Sequence, residues 1–252
     1  MDSQKRDVLS KVPAVTLVFW IIKILATTLG ETGGDAVSMS MNLGYLISTA
    51  IFAVLFIGSV IAQILAKKFH PILYWVTIIT TTTVGTTLAD LVDRSLGIGY
   101  LGGTLLLLTL LLVSLVVWYR TLGSVAVDTV SSPKSEMFYW ITIMFSQTLG
   151  TAVGDWTADS AGLGYWRGAI VFGVMLGAIA AAYFCTKISH TVLFWVAFIL
   201  TRPLGAVVGD FLDKPHDQGG LALNRYSASA ALLVLIVACI FIFPQKPAKR
   251  AH

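Results

Sequence analysis

The octapeptide TLGETGGD at residues 28–35 decides the fold, because three further copies of it follow at related positions along the chain. The copies read TVGTTLAD at 83–90, TLGTAVGD at 148–155 and PLGAVVGD at 203–210. Each copy ends in an Asp fifteen residues after a Trp, and the four Trp residues are Trp20, Trp75, Trp140 and Trp195. The match continues without gaps to a Gly nine residues after each Asp, and these are Gly44, Gly99, Gly164 and Gly219. Four such copies establish an internal repeat.

The spacing of the copies divides the chain into two halves of two repeats. Successive Trp residues stand 55, 65 and 55 residues apart, and the longer middle interval contains a polar segment. Each repeat is long enough for two membrane helices of about 20 residues. We therefore predict repeats one and two over 1–120, a linker over 121–135, and repeats three and four over 136–252.

The composition indicates that the solvent of this chain is lipid. Its 252 residues are 56% hydrophobic and 12% charged, about half the charge of an average soluble domain, and the mean hydropathy is +0.83. This excludes a disordered chain, a disulfide scaffold and an ordinary cytosolic enzyme. We predict an all-α membrane protein with eight transmembrane helices in four parallel two-helix repeats. Their expected spans are 12–38, 44–66, 71–93, 99–120, 135–159, 164–187, 190–213 and 223–243.

Lys and Arg are distributed unequally between the two predicted sides. Two helices per repeat place both termini and the connections after the second, fourth and sixth helices on one side. That side carries Lys5, Arg6, Lys11, Lys67, Lys68, Arg120, Lys134, Lys187, Lys246, Lys249 and Arg250. The opposite side carries Arg94, Arg167, Lys214 and Arg225. The positive-inside rule then predicts cytoplasmic termini, and it explains the net charge of +4 without nucleic acid as a partner.

The chain resembles the bacterial integral membrane proteins built from four tandem copies of a two-helix repeat of unknown function. The marks of the resemblance are the FW or YW pair and the TLGxxxGD element, and they cover nearly the whole chain. The second copy departs from the pattern with Ala89, and the fourth has Arg202 and Pro203 where the others have polar residues. The resemblance implies a multi-pass protein of the bacterial inner membrane and implies no activity.

Acidic residues are scarce, and nine of the 13 lie in or just after the repeated octapeptides. Parallel repeats bring Asp35, Asp90, Asp155 and Asp210 to a similar depth, about 22 Å along each helix from its Trp. Because a charge within a membrane is costly, two interpretations stay open. Either each Asp caps its helix or pairs with an Arg of a neighbouring helix, or the four form a cation site together with Glu31.

Residues outside the common pattern add further expectations. The outer acids are interpreted as solvated loop charges beside Arg94 and Lys214, and they are Asp93, Asp159, Asp213 and Asp217. Lys23 either pairs with Glu31 as an internal counter-cation or extends to the cytoplasmic interface. The aligned hydroxyls of Thr28, Thr83 and Thr148 either line a hydrated path or bond back to their own helices. Small residues four apart, such as Gly30 and Gly34, favour close helix packing.

These features predict a transporter of a small inorganic cation, and they show no enzyme motif and no cofactor site. Oxygen-only ligands suit a hard divalent ion such as Mn²⁺, and we expect proton-coupled export. The expected ligands are Glu31, Asp35, Asp90, Asp155 and Asp210. Lys23 and Arg202 are expected to neutralise the empty site, with Thr28, Thr83 and Thr148 in support.

Two alternatives belong to other classes of function. The first is a non-transporting membrane scaffold or accessory subunit, whose small-residue faces hold neighbours or a homo-oligomer. The second is a transporter of a small organic solute bound between Lys23, Arg202 and the acids. In every case the expected partner is the lipid bilayer, and for the preferred function the cation and protons as well.

Overall fold

A computed structural model describes residues 10–248, and this part of the chain forms eight α-helices and no β-strand. The helices are α1 (Leu17–Asp35), α2 (Gly44–Leu65), α3 (Pro71–Asp90), α4 (Gly99–Leu122), α5 (Pro133–Asp155), α6 (Gly164–Cys185), α7 (His190–Asp213) and α8 (Arg225–Ile242). Within the described range, all except α5 are long and apolar enough to cross a membrane. The first turn of α5 contains Lys134 and Glu136, which lower its apolar character. Lys5, Arg6, Lys249 and Arg250 from the charge count lie outside the described residues.

The first helix begins at Leu17, five residues later than predicted. The preceding segment is extended because its backbone bonds to distant parts of the chain. The amide of Lys11 donates to the carbonyl of Val130 at 2.9 Å, and that of Ala14 donates to Lys246 at 2.8 Å. This segment therefore ties the linker and the C-terminal segment together across one end of the bundle.

The four odd-numbered helices form a closed ring. Helix α1 contacts α3 and α7, and α5 contacts the same two helices, so α1 faces α5 and α3 faces α7 across the ring. Each even-numbered helix packs outside the odd helix of the next repeat: α2 on α3, α4 on α5, α6 on α7, and α8 on α1. The two sequence halves meet along α3–α5 and α1–α7. The repeats are thus arranged around a pseudo-fourfold axis.

The odd helices run in the same direction, as the repeat predicts. At their N-terminal ends, the ring of Phe19 lies 5.5 Å from that of Trp75, and Tyr74 lies 5.7 Å from Trp140. At their C-terminal ends, ion pairs join acids and bases of different helices, among them Arg94 and Asp155. One end of the ring is therefore aromatic and the other is charged.

Glycines set the close approach of neighbouring odd helices, which confirms the packing interpretation of the small residues. A Cβ at the first Gly of each octapeptide would overlap or crowd the next odd helix. The four contacts are Gly30 with Thr82, Gly85 with Gln147, Gly150 with Arg202 and Gly205 with Thr27. The partner always stands seven residues after its own Trp. The same contact, a Gly of one helix against a side chain of the next, therefore recurs at each of these four interfaces, including the one that closes the ring.

The connection from each odd helix to the next even helix explains the last Gly of the repeat. In the first three repeats the α-helix ends at the Asp and continues as one π-helical turn, at Ala36–Ser40, Leu91–Ser95 and Trp156–Ser160. The Gly of the repeat then has φ between +67° and +85° in the four copies, a conformation that favours glycine. In the fourth repeat α7 runs to Asp213 without a π-turn, because Pro215 disfavours a helical conformation at Lys214.

Candidate functional site

Every fourth residue of the odd helices lies along the ring axis and forms five layers about 6 Å apart. Their side chains are buried. From the aromatic end, the aromatic layer is Phe19, Tyr74, Tyr139 and Phe194; the lysine layer is Lys23, Ile78, Ile143 and Phe198; the arginine layer is Thr27, Thr82, Gln147 and Arg202; the glutamate layer is Glu31, Thr86, Thr151 and Ala206; and the aspartate layer is Asp35, Asp90, Asp155 and Asp210.

Contacts between helices that face each other across the ring place the glutamate and aspartate layers and the guanidinium group of Arg202 on its axis. Arg202 of α7 reaches Thr86 of α3. Carboxylate oxygens of Glu31 in α1 and Asp155 in α5 lie within 4.8 Å of each other. Because neither helix pair is adjacent in the ring, the side chains that join them lie at its centre.

Arg202 joins all four repeats. Its Nη2 lies 2.9 Å from Oε2 of Glu31, 2.6 Å from Oγ1 of Thr86 and 2.5 Å from Oγ1 of Thr151. The three partners occupy the same position in the first three repeats, eleven residues after the Trp. The guanidinium group thus occludes the axis at the glutamate layer, and Glu31 pairs with Arg202 rather than with Lys23 as one interpretation predicted.

Two cations bridge the aspartate layer in pairs. Arg94 lies 2.9 Å from Oδ1 of Asp90 through Nε and 3.3 Å from Oδ2 of Asp155 through Nη2. Lys214 Nζ lies 2.6 Å from Oδ2 of Asp35 and 3.1 Å from Oδ1 of Asp210. Each cation joins the Asp four residues before it to an Asp of an adjacent helix.

The expected pairing with an Arg of a neighbouring helix is therefore confirmed for Asp155, whereas Asp35 and Asp210 pair with Lys214 and Asp90 pairs within its own repeat. The capping interpretation is wrong. The side chains of Asp35, Asp90 and Asp155 form no capping hydrogen bond where their helices end, within the part of the chain that the structure describes. The backbone N–H groups beyond each Asp instead continue into a helical turn and bond to preceding carbonyls.

Sequence reasoning missed the roles of Arg94 and Lys214, which were assigned to the loops. Asp93 and Asp213 were expected to be solvated and are buried, whereas Asp159 and Asp217 are exposed as predicted. Asp213 is held by Arg225, whose Nε lies 2.9 Å from Oδ2. The available signal was spacing, because Arg94 and Lys214 each stand four residues after an Asp of the repeat, the distance of a helical ion pair.

Lys214 lies just beyond the end of α7 and is charged. Burial alone would lower the pKa of its ammonium group, but the carboxylates of Asp210 and Asp35 raise that pKa well above its ordinary value. The bridge across this part of the aspartate layer is therefore ionic.

Four of the five expected ligands come together in two groups of carboxylates. Glu31, Asp155 and Asp210 each place one oxygen within 4.8 Å of the others, and so do Asp35, Asp210 and Asp213. Asp90 belongs to neither group of the described residues and pairs with Arg94. Carboxylate oxygens at this separation are suited to a hard divalent cation, so the first group is the candidate metal site.

An open cavity of about 800 Å³ lies beyond the aspartate layer. Its lining includes Arg94, Lys214 and Arg225 together with Asp159, Tyr100 and Tyr165. At the other end of the axis the aromatic layer is closed, and the hydroxyl oxygens of Tyr74 and Tyr139 are hydrogen-bonded at 2.6 Å. The cavity thus opens at the charged end of the ring, outside the buried aspartate layer.

Lys23 lies deep in the ring and not at an interface. Its side chain is fully buried and its Nζ lies 4.2 Å from the centroid of the Phe198 ring. No described residue forms a hydrogen bond with this Nζ. The prediction that Lys23 extends to the cytoplasmic interface is wrong, because the ring encloses the whole side chain.

The aligned threonines bond to their own helices. Thr28, Thr83 and Thr148 donate to the carbonyl four residues earlier, at 3.0, 2.8 and 2.9 Å respectively. The expectation that these three line a path is wrong. The hydroxyls that contact Arg202 on the axis are instead those of Thr86 and Thr151, at the glutamate layer.

Comparison with known proteins identifies the repeat. A family model described as Repeat of Unknown Function (DUF347) matches residues 18–69, 73–124, 138–189 and 193–243. Each match contains one odd and one even helix, so it coincides with the structural repeat. No curated protein and no solved structure matches the chain.

Proposed function

Because the chain belongs to the family described as Repeat of Unknown Function (DUF347), we propose its function from the ring alone. The protein transports a small inorganic cation, a divalent metal such as Mn²⁺, along the axis of the odd helices. It works as a proton-coupled exporter in the bacterial inner membrane.

The observation that carries this proposal is the convergence of Glu31, Asp155 and Asp210. Three different repeats supply one buried carboxylate oxygen each, and these oxygens lie within 4.8 Å of one another. A divalent ion at their centre would gain three oxygen ligands, the donors that Mn²⁺ and Mg²⁺ prefer. Carboxylates also accept protons, so the same residues support exchange of a metal for protons.

The Arg and Lys side chains that pair with these carboxylates would compete with a metal ion for them. Arg202 holds Glu31, and Lys214 holds Asp210 and Asp35. An incoming metal must take these oxygens from a guanidinium or ammonium group, so the empty site does not carry a large uncompensated charge. Displacement of Arg202 from the axis is the step that would open the glutamate layer.

Charge distribution supports the proposed orientation. Arg94, Lys214 and Arg225 on the acidic side form ion pairs with Asp90, Asp35 and Asp213 respectively. The positive-inside rule counts Lys and Arg only, and the side of the termini carries eleven of them against four on the acidic side. Under the positive-inside rule the termini are cytoplasmic and the open cavity faces outward.

The proposal is tested by metal tolerance and by ⁵⁴Mn²⁺ efflux from cells that lack or overproduce the protein. Asp155→Asn and Asp210→Asn should abolish a cation-selective change in efflux at equal amounts of protein in the membrane. Asp217→Asn removes an exposed acid of the same side of the bundle and should retain wild-type efflux. Normal efflux from both ring variants would overturn the proposal.

A membrane scaffold or accessory subunit is the second candidate, and the extent of ion pairing favours it. Asp35, Asp90, Asp155 and Asp210 each face a Lys or Arg. In a scaffold these pairs would only hold the odd helices together. The ring variants would then fail to accumulate in the membrane, whereas a transporter predicts normal accumulation and lost efflux for at least one of them.

A further inference from the structure

The lysine and arginine layers contain buried polar atoms that have no hydrogen-bond partner among the described residues. These atoms are Nζ of Lys23, Oγ1 of Thr82, Nε2 and Oε1 of Gln147, and Nε and Nη1 of Arg202. Each of the four side chains is fully buried. They belong to two consecutive layers on the axis, on the aromatic side of the Arg202–Glu31 pair.

Lys23 has no carboxylate partner in this region. The other members of its layer are Ile78, Ile143 and Phe198, which are apolar. The carboxylate nearest to it along α1 is Glu31, two layers away, and that group is held by Arg202 at 2.9 Å. A buried ammonium group without a counter-charge is strongly unfavourable, so Lys23 keeps its proton here only with a negative partner.

The register of α1 and α7 places Lys23 and Arg202 beside the same part of the axis. Lys23 Nζ lies over the ring of Phe198, and Arg202 follows Phe198 by one helical turn on the same face. The hydroxyl of Thr27, one turn after Lys23, donates to the carbonyl of Thr201 at 3.1 Å. The two basic side chains therefore approach the axis from adjacent helices, one layer apart.

We propose that the lysine and arginine layers bind a small monovalent anion of the halide class, held by Lys23 Nζ, Gln147 Nε2 and the free Nη1 of Arg202. An ammonium group at Lys23 would be balanced by a single negative charge. Apolar walls from Ile78 and Ile143 favour a spherical, weakly hydrated anion over sulfate or phosphate, which lose more hydration energy on burial. The site is separate from the carboxylates and does not depend on cation transport.

Arg202 would then contact both sites through different atoms. Its Nη2 faces Glu31, while Nε and Nη1 are available to the anion. The anion would hold the guanidinium group in place from the side opposite the carboxylates.

Thermal unfolding of the purified full-length protein tests the anion site. The probes are sodium chloride and sodium bromide against sodium gluconate at equal ionic strength, since gluconate is too large for a closed layer. Above the dissociation constant, each tenfold increase in halide should raise the unfolding midpoint by about 3–6 °C. A wild-type midpoint that is the same in the three salts would overturn the proposal.

Lys23→Ile provides the decisive variant, because Ile occupies the equivalent position in the second and third repeats. It should lose the difference between halide and gluconate while remaining folded in gluconate. Lys67→Gln, which removes an exposed Lys, should keep the difference and so controls for general salt effects. An undiminished halide effect in Lys23→Ile would contradict the assignment.

A second measurement applies if Lys23→Ile does not accumulate. Crystals of the wild-type protein grown in bromide should show an anomalous peak between Lys23 and Gln147. Absence of a peak there, with bromide present at a concentration that raises the unfolding midpoint, would also overturn the assignment. Neither measurement requires a transported cation, so failure here is distinguishable from failure of the proposed transport.

Discussion

Arg202 Nη2 lies 2.9 Å from Oε2 of Glu31, although the two residues are 171 positions apart in the chain. They belong to the last and the first odd helices, so their ion pair joins the two ends of the ring. Both residues are also exceptions to the repeat. The other copies have Thr or Gln in place of Arg202 and Thr or Ala in place of Glu31. The two residues that depart from the repeat pattern thus contact each other on the axis of the ring.

Removal of one partner of this pair should destabilise the protein more than replacement of both. Glu31→Thr leaves a buried guanidinium group without its carboxylate, which costs about 3–5 kcal/mol. Glu31→Thr combined with Arg202→Gln introduces residues that other repeats already use at these positions and should recover most of the loss. A double-mutant cycle on unfolding free energies checks this coupling. Additive effects of the two substitutions would show that the pair does not interact.

The close contact between Gly150 and Arg202 should not accommodate an added methyl group. A Cβ at this position would overlap Cβ and Cγ of Arg202, whereas one at Gly177, on the outer helix α6, would meet no atom within 4 Å. Gly150→Ala should therefore lower the unfolding free energy by about 1–3 kcal/mol. Gly177→Ala should change it by less than about 0.5 kcal/mol, or raise it slightly. Equal effects of the two substitutions in a denaturation assay would contradict the ring packing.

The tyrosine pair of the aromatic layer should show the same kind of coupling. Tyr74→Phe leaves the buried hydroxyl of Tyr139 without its partner at 2.6 Å, which costs about 1–3 kcal/mol. The double variant Tyr74→Phe/Tyr139→Phe should be more stable than either single variant, because Phe occupies this layer in the first and fourth repeats. Unfolding midpoints of the three variants test this. A double variant less stable than both single variants would contradict it.

The repeat made much of the fold predictable. Four copies with two helices each predict parallel odd helices, and the recurrence of Asp35, Asp90, Asp155 and Asp210 predicts one charged end. The closure of the ring, in which α8 covers α1, requires knowledge of how the repeats pack. Sequence periodicity alone does not give it, because each repeat contacts its neighbours through different faces of two helices.

Partners across the ring were harder to predict than positions along it. Lys23 and Glu31 stand two turns apart on α1, so pairing was expected, but Arg202 approaches from α7 and takes the carboxylate. Arg94 and Lys214 were assigned to loops because each directly follows another Asp. Their long side chains instead turn back along the helix to the Asp four residues earlier. The partner of each charged side chain depends on which side chains of the adjacent helices lie close to it, and the sequence alone does not give this.

Neutralisation of Arg94 should strengthen cation binding at the charged end. Arg94 contacts Asp90 and Asp155 and lines the open cavity. Its removal frees Asp155 and makes the local charge more negative, so Arg94→Gln should raise the affinity for Mn²⁺ several-fold at low ionic strength. Arg167→Gln is the control, because Arg167 lies at the start of α6 on the same side and stacks near Trp166. Calorimetric titration of both variants with Mn²⁺ compares them, and unchanged affinity in Arg94→Gln would contradict this role.

The most direct test of cation transport is ⁵⁴Mn²⁺ flux into proteoliposomes that contain the purified protein and a proton gradient. Wild-type protein and Asp217→Asn should support flux that depends on the gradient. Asp155→Asn, reconstituted in equal amount, should reduce it to the level of protein-free vesicles. Flux through Asp155→Asn equal to that of wild type, or no gradient-dependent flux through the wild type, would contradict transport at the carboxylates of Glu31, Asp155 and Asp210.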